Sequence, residues 1–256
     1  MSEHIILNRA DNILRIRFNR PEKKNALTLD MYSAITDALK GADKDENIRV
    51  IMLEGSEGNF TSGNDLKDFL TSPPLEDSSP VVRFLKTISM ASKPIVAKVE
   101  GVAVGVGTTM LFHCDLVYAS PDARFQFPFV NLAVVPEAGS TYLLPRMIGH
   151  QRAAELFMLA DIFGADFALE VGLVNFIYSP ESLEERVTVK LQELAAKPAE
   201  AIRLTKYLMK RPLQSAIQEA IQEEGRHFLA QLKSAEAREA MEAFLEHRKP
   251  DFSKFK

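Results

Sequence analysis

The chain has 256 residues, 46% hydrophobic and 26% charged, with a formal net charge of −4. That length suits one large domain, or one domain with a helical appendage, and no charged block marks a nucleic-acid surface. A single cysteine, Cys114, excludes an intrachain disulfide framework and suits a reducing compartment.

No apolar run reaches membrane-spanning length. The start, Met1-Ser2-Glu3-His4, lacks a basic n-region and a long apolar stretch, so no signal peptide is expected. The end, Lys254-Phe255-Lys256, is not a peroxisomal address. The expectation is a cytoplasmic protein without nucleic-acid or membrane partners.

In chain order, Leu14-Arg15-Ile16-Arg17-Phe18 alternates apolar and basic residues, as a half-buried strand does. Asn19 to Asn25 is a polar loop around Pro21. Thr28 is placed to cap a helix to about Lys40, with Tyr32, Ile35 and Leu39 on one face and Gly41 as its end. Val50-Ile51-Met52-Leu53 reads as a strand buried on both faces. Residues 71–80, TSPPLEDSSP, are the expected mobile loop.

Pro94 to Val99 is another strand, followed by a glycine loop from Gly101 to Gly107 and a helix from about Gly105. Leu116 to Ala119 and Phe125 to Phe127 look like strands. Beyond Thr141 helical periodicity dominates, interrupted at Gly149, Gly164 and the strand-like stretch from Leu173 to Ile177. From Ser182 the chain is almost entirely helical, with breaks at Pro198 and Pro212. The organisation expected is an α/β core over 1–195 and a helical region over 196–256. The charged residues of the tail helices read as solvated faces.

Three segments carry candidate chemistry. The Gly101–Gly107 loop leads from a strand into a helix, which leaves backbone N–H groups free. It lacks a full dinucleotide fingerprint and a P-loop lysine, and a tight strand–helix turn accounts for its glycines equally well. In Thr61-Ser62-Gly63-Asn64-Asp65, Gly63 lets the next amides face a ligand, although Asp65 could simply cap a helix. Two such turns can aim two N–H groups at one oxygen, as an oxyanion hole requires. In Val135-Pro136-Glu137-Ala138-Gly139-Ser140-Thr141 one carboxylate sits among apolar and turn-forming residues. One base and two donors suit proton transfer beside a thioester carbonyl; the alternative is that Glu137 caps the following helix. His4, His113, His150, His227 and His247 form no metal-ligand spacing, so no metal is expected.

The ordered set of motifs resembles the enoyl-CoA hydratase/isomerase (crotonase) family. It comprises Asn19-Arg20-Pro21, Asn25-Ala26-Leu27, Ser62-Gly63-Asn64-Asp65-Leu66, Lys93 to Ala97, Gly101, Gly105-Val106-Gly107, Cys114 to Ala119 and Phe244 to Lys249. The resemblance implies a spiral of β-β-α turns with a helical C-terminal region used in assembly, as a homotrimer or hexamer. It implies an acyl-CoA thioester substrate, with no cofactor beyond the CoA of that substrate. By motif position it puts the oxyanion N–H groups on Asn64 and Val106. It puts CoA contacts on Lys24 and Ala26 and on Ser62, Asn64, Asp65, Leu66 and Lys67.

Where hydratases of this family carry two catalytic glutamates, this chain has Thr109 and Phe129. Pro136-Glu137 instead looks like the Δ3,Δ2-enoyl-CoA isomerase branch, in which that glutamate is the base. The resemblance therefore implies isomerisation of 3-enoyl-CoA to 2-enoyl-CoA in fatty acid metabolism. An atypical hydratase or other crotonase-fold enzyme, and a non-catalytic acyl-CoA-binding protein, are the alternatives. Phe228, Leu229, Leu232, Met241, Phe244 and Leu245 are expected to supply a subunit interface.

Overall fold

The structure, a computed structural model, describes residues 2–71, 79–246 and 248–255. Most of the proline-serine segment at 71–80 therefore lies outside the described residues, as does His247.

The chain opens with a hairpin, β1 (Ile5–Ala10) and β2 (Ile13–Phe18), paired antiparallel. Its two-residue turn, Asp11-Asn12, has φ of 51° and 62°, left-handed values that match the twist of the strands. Helix α1 (Leu29–Lys44) follows, capped by Thr28, whose side chain accepts from the Met31 N–H. Tyr32, Ile35 and Leu39 are fully buried, as the periodicity predicts. The helix does not stop at Gly41. That glycine keeps a helical backbone, and the buried Ala42 beyond it continues the packed face, outweighing the roughly 1 kcal/mol helix penalty of glycine.

Next come β3 (Val50–Glu54), α2 (Leu66–Thr71), α3 (Pro80–Met90), β4 (Ile95–Val99) and β5 (Val102–Val104). A single turn, α4 (Val106–Thr109), runs into a 3-10 turn at Met110–His113. Then follow β6 (Leu116–Ala119), β7 (Arg124–Gln126), α5 (Ser140–Ile148), α6 (His150–Met158), β8 (Phe163–Gly164) and α7 (Ala165–Glu170). Only Phe176–Ile177 of the stretch from Leu173 forms a strand, β9. The chain ends in α8 (Pro180–Ala195), α9 (Ala199–Lys210), α10 (Gln214–Leu232) and α11 (Ala235–Leu245).

Among the described residues two sheets form, ordered β1-β2-β3-β4-β6-β9 and β5-β7-β8. From β3 onward the chain alternates between them. After β3, Thr61 bridges to Ala103 of the small sheet; after β4 comes β5, and after β6 comes β7. Neighbours within the large sheet from β2 to β9 are parallel. Every residue of β3 and β4 is buried, which explains the apolar run Val50–Leu53; the two buried charges, Glu54 and Lys98, pair with each other at 3.1 Å. This repeated excursion is the β-β-α spiral of the crotonase fold.

One face of the large sheet packs on α8 through Leu183, Val187 and Leu191. The main core fills the other side and includes Ile217 and Ile221 of α10 and Ala237 and Met241 of α11. Two expectations about the tail change here. Lys206, Glu224 and Glu239 are not solvated but buried, each with bonded partners. Of the six apolar residues proposed for an interface, Met241 is buried in the chain's own core, and Phe228 and Leu232 pack against it. Phe244 and Leu245 remain exposed, and a larger exposed apolar strip lies on α9 at Leu204, Tyr207, Leu208 and Met209.

Candidate active site

The candidate site is assembled from two glycine turns, the turn that carries Glu137 and the helices α3 and α10. Backbone bonds build the first turn. Thr61 N–H donates to the Val102 carbonyl at 2.9 Å, and Val104 N–H donates to the Thr61 carbonyl at 3.0 Å. Thr61 Oγ1 donates to the Asn25 carbonyl and accepts from Gly63 N–H. Leu27 then pairs with Gly63 and Asp65, donating to the Gly63 carbonyl at 2.8 Å and accepting from Asp65 N–H at 2.9 Å. This parallel bridge turns the N–H of Asn64, between them, to the opposite edge.

The second turn meets the first. A Cβ on Gly63, whose φ is 89°, would stand 2.6 Å from the Val104 carbonyl oxygen, so only glycine fits. A Cβ on Gly107 would stand 2.7 Å from Thr61 Cγ2. Gly105 has φ of 57° and donates its N–H to the Gln126 carbonyl. Val106 begins α4, where an N–H has no intrahelical acceptor. Among the described residues nothing accepts from the N–H of Asn64 or of Val106.

Thr109, three residues after Val106 on the same helical turn, donates its hydroxyl to Glu137 Oε1. Glu137 is 7% exposed, and its Oε2 has no partner among the described residues. Burial pushes its carboxyl up to about 8; the Thr109 bond opposes that rise and the charge of Glu224 adds to it. A carboxyl in this range can both take and return a proton near neutral pH. Asn64 and Glu137 line one cavity of about 450 Å³ between α3 and α10. Val81, Leu85, Phe228 and Leu229 give it apolar walls.

The capping alternative for Glu137 does not hold. The first amides of α5 are taken by Glu224, which accepts from Gly139 N–H at 2.6 Å and Thr141 N–H at 2.8 Å. Glu137 contributes only its main-chain carbonyl, to Ser140 N–H. For Asp65 the capping reading does hold. Its Oδ1 accepts from the Lys67 and Asp68 N–H groups, while Oδ2 meets Arg20 at 2.6 Å. Burial raises its pKa, but Arg20 and these amides outweigh that and hold it below the ordinary value. The Asp65 side chain is thus committed to the fold.

Lys24 is exposed on a left-handed residue, with φ of 47°, and its carbonyl accepts from Ser62 N–H. This bond brings Lys24 and Ser62 together. Ala26 is buried one residue before the Leu27 bridge, Leu66 opens α2, and Lys67 is exposed on it. Phe129 and Val134 are buried in the core; of the carboxylate positions expected of a hydratase, one is therefore an apolar ring and the other is Thr109.

Sequence reasoning passed over three participants. Tyr32 read as an apolar contact of α1, yet its hydroxyl donates to Asn64 Oδ1. Thr109 read only as a missing carboxylate, yet it binds Glu137. Glu224 read as part of a solvated face. Its setting among Ile217, Ile221 and Phe228 was the one available signal, since it falls on their helical stripe.

A family model described as enoyl-CoA hydratase/isomerase matches residues 8–255. The chain is 35% identical over 255 residues to enoyl-CoA delta isomerase 2 of Rattus norvegicus, covering 97% of this chain but only 65% of that protein's length. It is 31% identical over 254 residues to crotonyl-CoA hydratase of Syntrophomonas wolfei, with 98% of both chains covered. A crystal structure of an enoyl-CoA hydratase/isomerase from Pseudoalteromonas atlantica T6c superposes with a TM-score of 0.93 at 38% identity, over 98% of this chain and 100% of that one. Relatives thus include both isomerases and hydratases, and with the alternating two-sheet spiral they establish that this chain belongs to the enoyl-CoA hydratase/isomerase (crotonase) family.

Proposed function

We propose that the protein isomerises 3-enoyl-CoA to 2-enoyl-CoA in fatty acid metabolism. Glu137 serves as the sole general base, and the N–H groups of Asn64 and Val106 form the oxyanion hole. The observation that carries this reading is that, among the described residues, Glu137 is the one buried carboxylate at the cavity wall, with one oxygen held by Thr109 and the other without a partner. Adding water across a double bond needs one group to handle the water proton and a donor for the α-carbon. Moving a double bond needs only one base. Ionised Glu137 removes a proton from C2, the electrons spread into the thioester dienolate, and the same proton returns at C4. Two N–H donors on the enolate oxygen match that charge; one such donor is typically worth about 2.7–4 kcal/mol.

The acyl chain lies against the apolar walls formed by α3 and α10. The CoA portion follows Lys24, Ala26 and the 62–67 segment. The assembly is proposed to be a homotrimer or hexamer, supported by the exposed apolar strip on α9, including Leu208 at 61% and Met209 at 65%. A monomer by light scattering at micromolar concentration overturns that assembly.

Parallel assays with a 3-enoyl-CoA and a 2-enoyl-CoA test the reaction. Turnover of the first, with some deuterium carried from C2 to C4, is the expected result. Hydration of the second without isomerisation of the first favours the hydratase reading. Binding of CoA esters with turnover of neither leaves a binding protein.

A further inference from the structure

Glu224 has no step in the proposed reaction, yet it is a buried carboxylate, 6% exposed, beside the base. It lies 85 residues from Gly139 in sequence and receives three bonds from the base-bearing turn. Gly139 N–H donates to Oε2 at 2.6 Å, and Thr141 N–H and Oγ1 donate to Oε1 at 2.8 and 2.6 Å. From the other side, His113 donates Nε2–H to the Ala138 carbonyl at 2.7 Å; burial lowers its pKa to about 3, so the ring is neutral. Between these clamps Ala138 and Gly139 hold left-handed φ values of 66° and 72°. For alanine that conformation is unfavourable and needs outside support.

A serine or asparagine would cap α5 at no electrostatic cost. A second buried carboxylate near Glu137 disfavours ionisation of both. The charge therefore has an effect that a neutral cap lacks: it makes Glu137 hold its proton to higher pH, and so a stronger base once ionised. We propose that Glu224 is the positioning residue of the base, gripping the turn from Ala138 to Thr141 so that the Glu137 carboxyl is held at the cavity wall. The inference rests on Glu137 being the base. It also links substrate to base, because α10 carries Glu224 and, through Ile221, Phe228 and Leu229, one wall of the acyl cavity.

The groups facing this pair are Tyr32 from α1, which also feels the charge of Glu137, and Thr109 from α4. Glu219, Glu223 and Arg226 of α10 and Lys86 of α3 line the same cavity. Tyr32 remains protonated across the working range, since burial and Glu137 raise its pKa well above the ordinary value.

The test uses Glu224→Gln, Glu224→Asp and Thr141→Val in the full chain. It reads kcat, KM and the titration of the Glu137 carboxyl by carbon-13 NMR, assigned with Glu137→Gln. Glu224→Gln removes the charge and turns an amide toward an N–H. Its expected result is a kcat loss of about tenfold to a hundredfold with KM little changed, and a Glu137 titration about one unit lower. Glu224→Asp keeps the charge but shortens the reach, so kcat falls while the titration stays near the wild-type value. Should either variant fail to fold, Thr141→Val removes one donor from an exposed residue and is expected to lower kcat severalfold.

Wild-type kcat and an unmoved titration in the folded variants overturn the proposal and leave Glu224 as a cap; unchanged kcat in Thr141→Val does the same if neither Glu224 variant folds. The NMR reading does not depend on turnover. If wild type fails to isomerise 3-enoyl-CoA but the titration still drops in Glu224→Gln, the proposed reaction falls and the grip on Glu137 stands.

Discussion

The first glycine turn, through Asn64, and the turn carrying Glu137 reach the same cavity, and the second glycine turn packs on the first, yet the glycine turns and the Glu137 turn are held in opposite ways. Residues 61–64 and 101–107 are sewn together mostly by main-chain bonds, such as Val104 N–H to the Thr61 carbonyl, and by contacts too close for a Cβ. The turn from Glu137 to Thr141 is held by side chains from remote elements, His113 and Glu224, with Thr109 on the carboxylate itself. A donor made of backbone tolerates changes of its own side chain and fails when the chain path changes. A base made of a side chain is sensitive to every group that touches it.

The sharpest break of this comparison is Glu137→Gln. It keeps shape and the Thr109 bond, and should remove roughly 10²–10⁴-fold of the isomerisation rate while CoA binding persists. The same variant carries a stability signature. The folded pKa of about 8 exceeds the ordinary carboxyl value of 4.5, so the folded state binds the extra proton between those values. The cost of burying the charge is absent below pH 4.5 and grows as pH rises through 8. Glu137→Gln should therefore melt higher than wild type at pH 8 and above, by an amount worth a few kcal/mol at most, and lose that advantage toward pH 4.5. Melting curves across that range check the sign.

Next in size is Val106→Pro, which deletes one N–H donor. A folded, normally assembled variant should lose about a hundredfold or more in kcat. Full activity would remove Val106 from the site.

Thr109→Val sharpens the comparison from the side of the base. Its hydroxyl lowers the Glu137 pKa, so without it the acidic limb of kcat/KM moves to higher pH, opposite in sign to Glu224→Gln. With the limb up by about one unit, the rate at pH 7 falls about tenfold. A limb that does not move would show that the bond to Oε1 has no bearing on the base.

The smallest catalytic effect is expected of Asn64→Ala. The donor is backbone, so kcat should change less than about tenfold. The structure adds a stability cost. Tyr32 is buried and its hydroxyl loses Asn64 Oδ1, which should cost about 1–3 kcal/mol in chemical denaturation. A large fall in kcat with unchanged stability would mean that the Asn64 side chain takes part directly.

Features set by neighbours in the chain were legible in the amino-acid sequence. Gly63 and Gly105, with φ of 89° and 57°, meet a local backbone demand that glycine satisfies, whereas the close approaches of Gly63 to Val104 and of Gly107 to Thr61 are set by distant segments. The buried strand β3 follows from the apolar run Val50-Ile51-Met52-Leu53, and Thr28 caps α1 through a bond spanning three residues. Thr109 and Phe129 are identified from the family resemblance alone as standing where hydratases carry carboxylates.

What required the tertiary structure was the state of Glu137. Its proton affinity depends on burial, on Thr109 at a separation of 28 residues and on Glu224 from the tail. Of these only Glu224 leaves a periodic mark, on the stripe of Ile217, Ile221 and Phe228, and a polar group on an otherwise exposed helix is most often solvated. A carboxyl's charge energy is set by the groups folded around it in space, so the residue was readable from the chain while its chemistry was decided only when α4 and α10 closed on the turn.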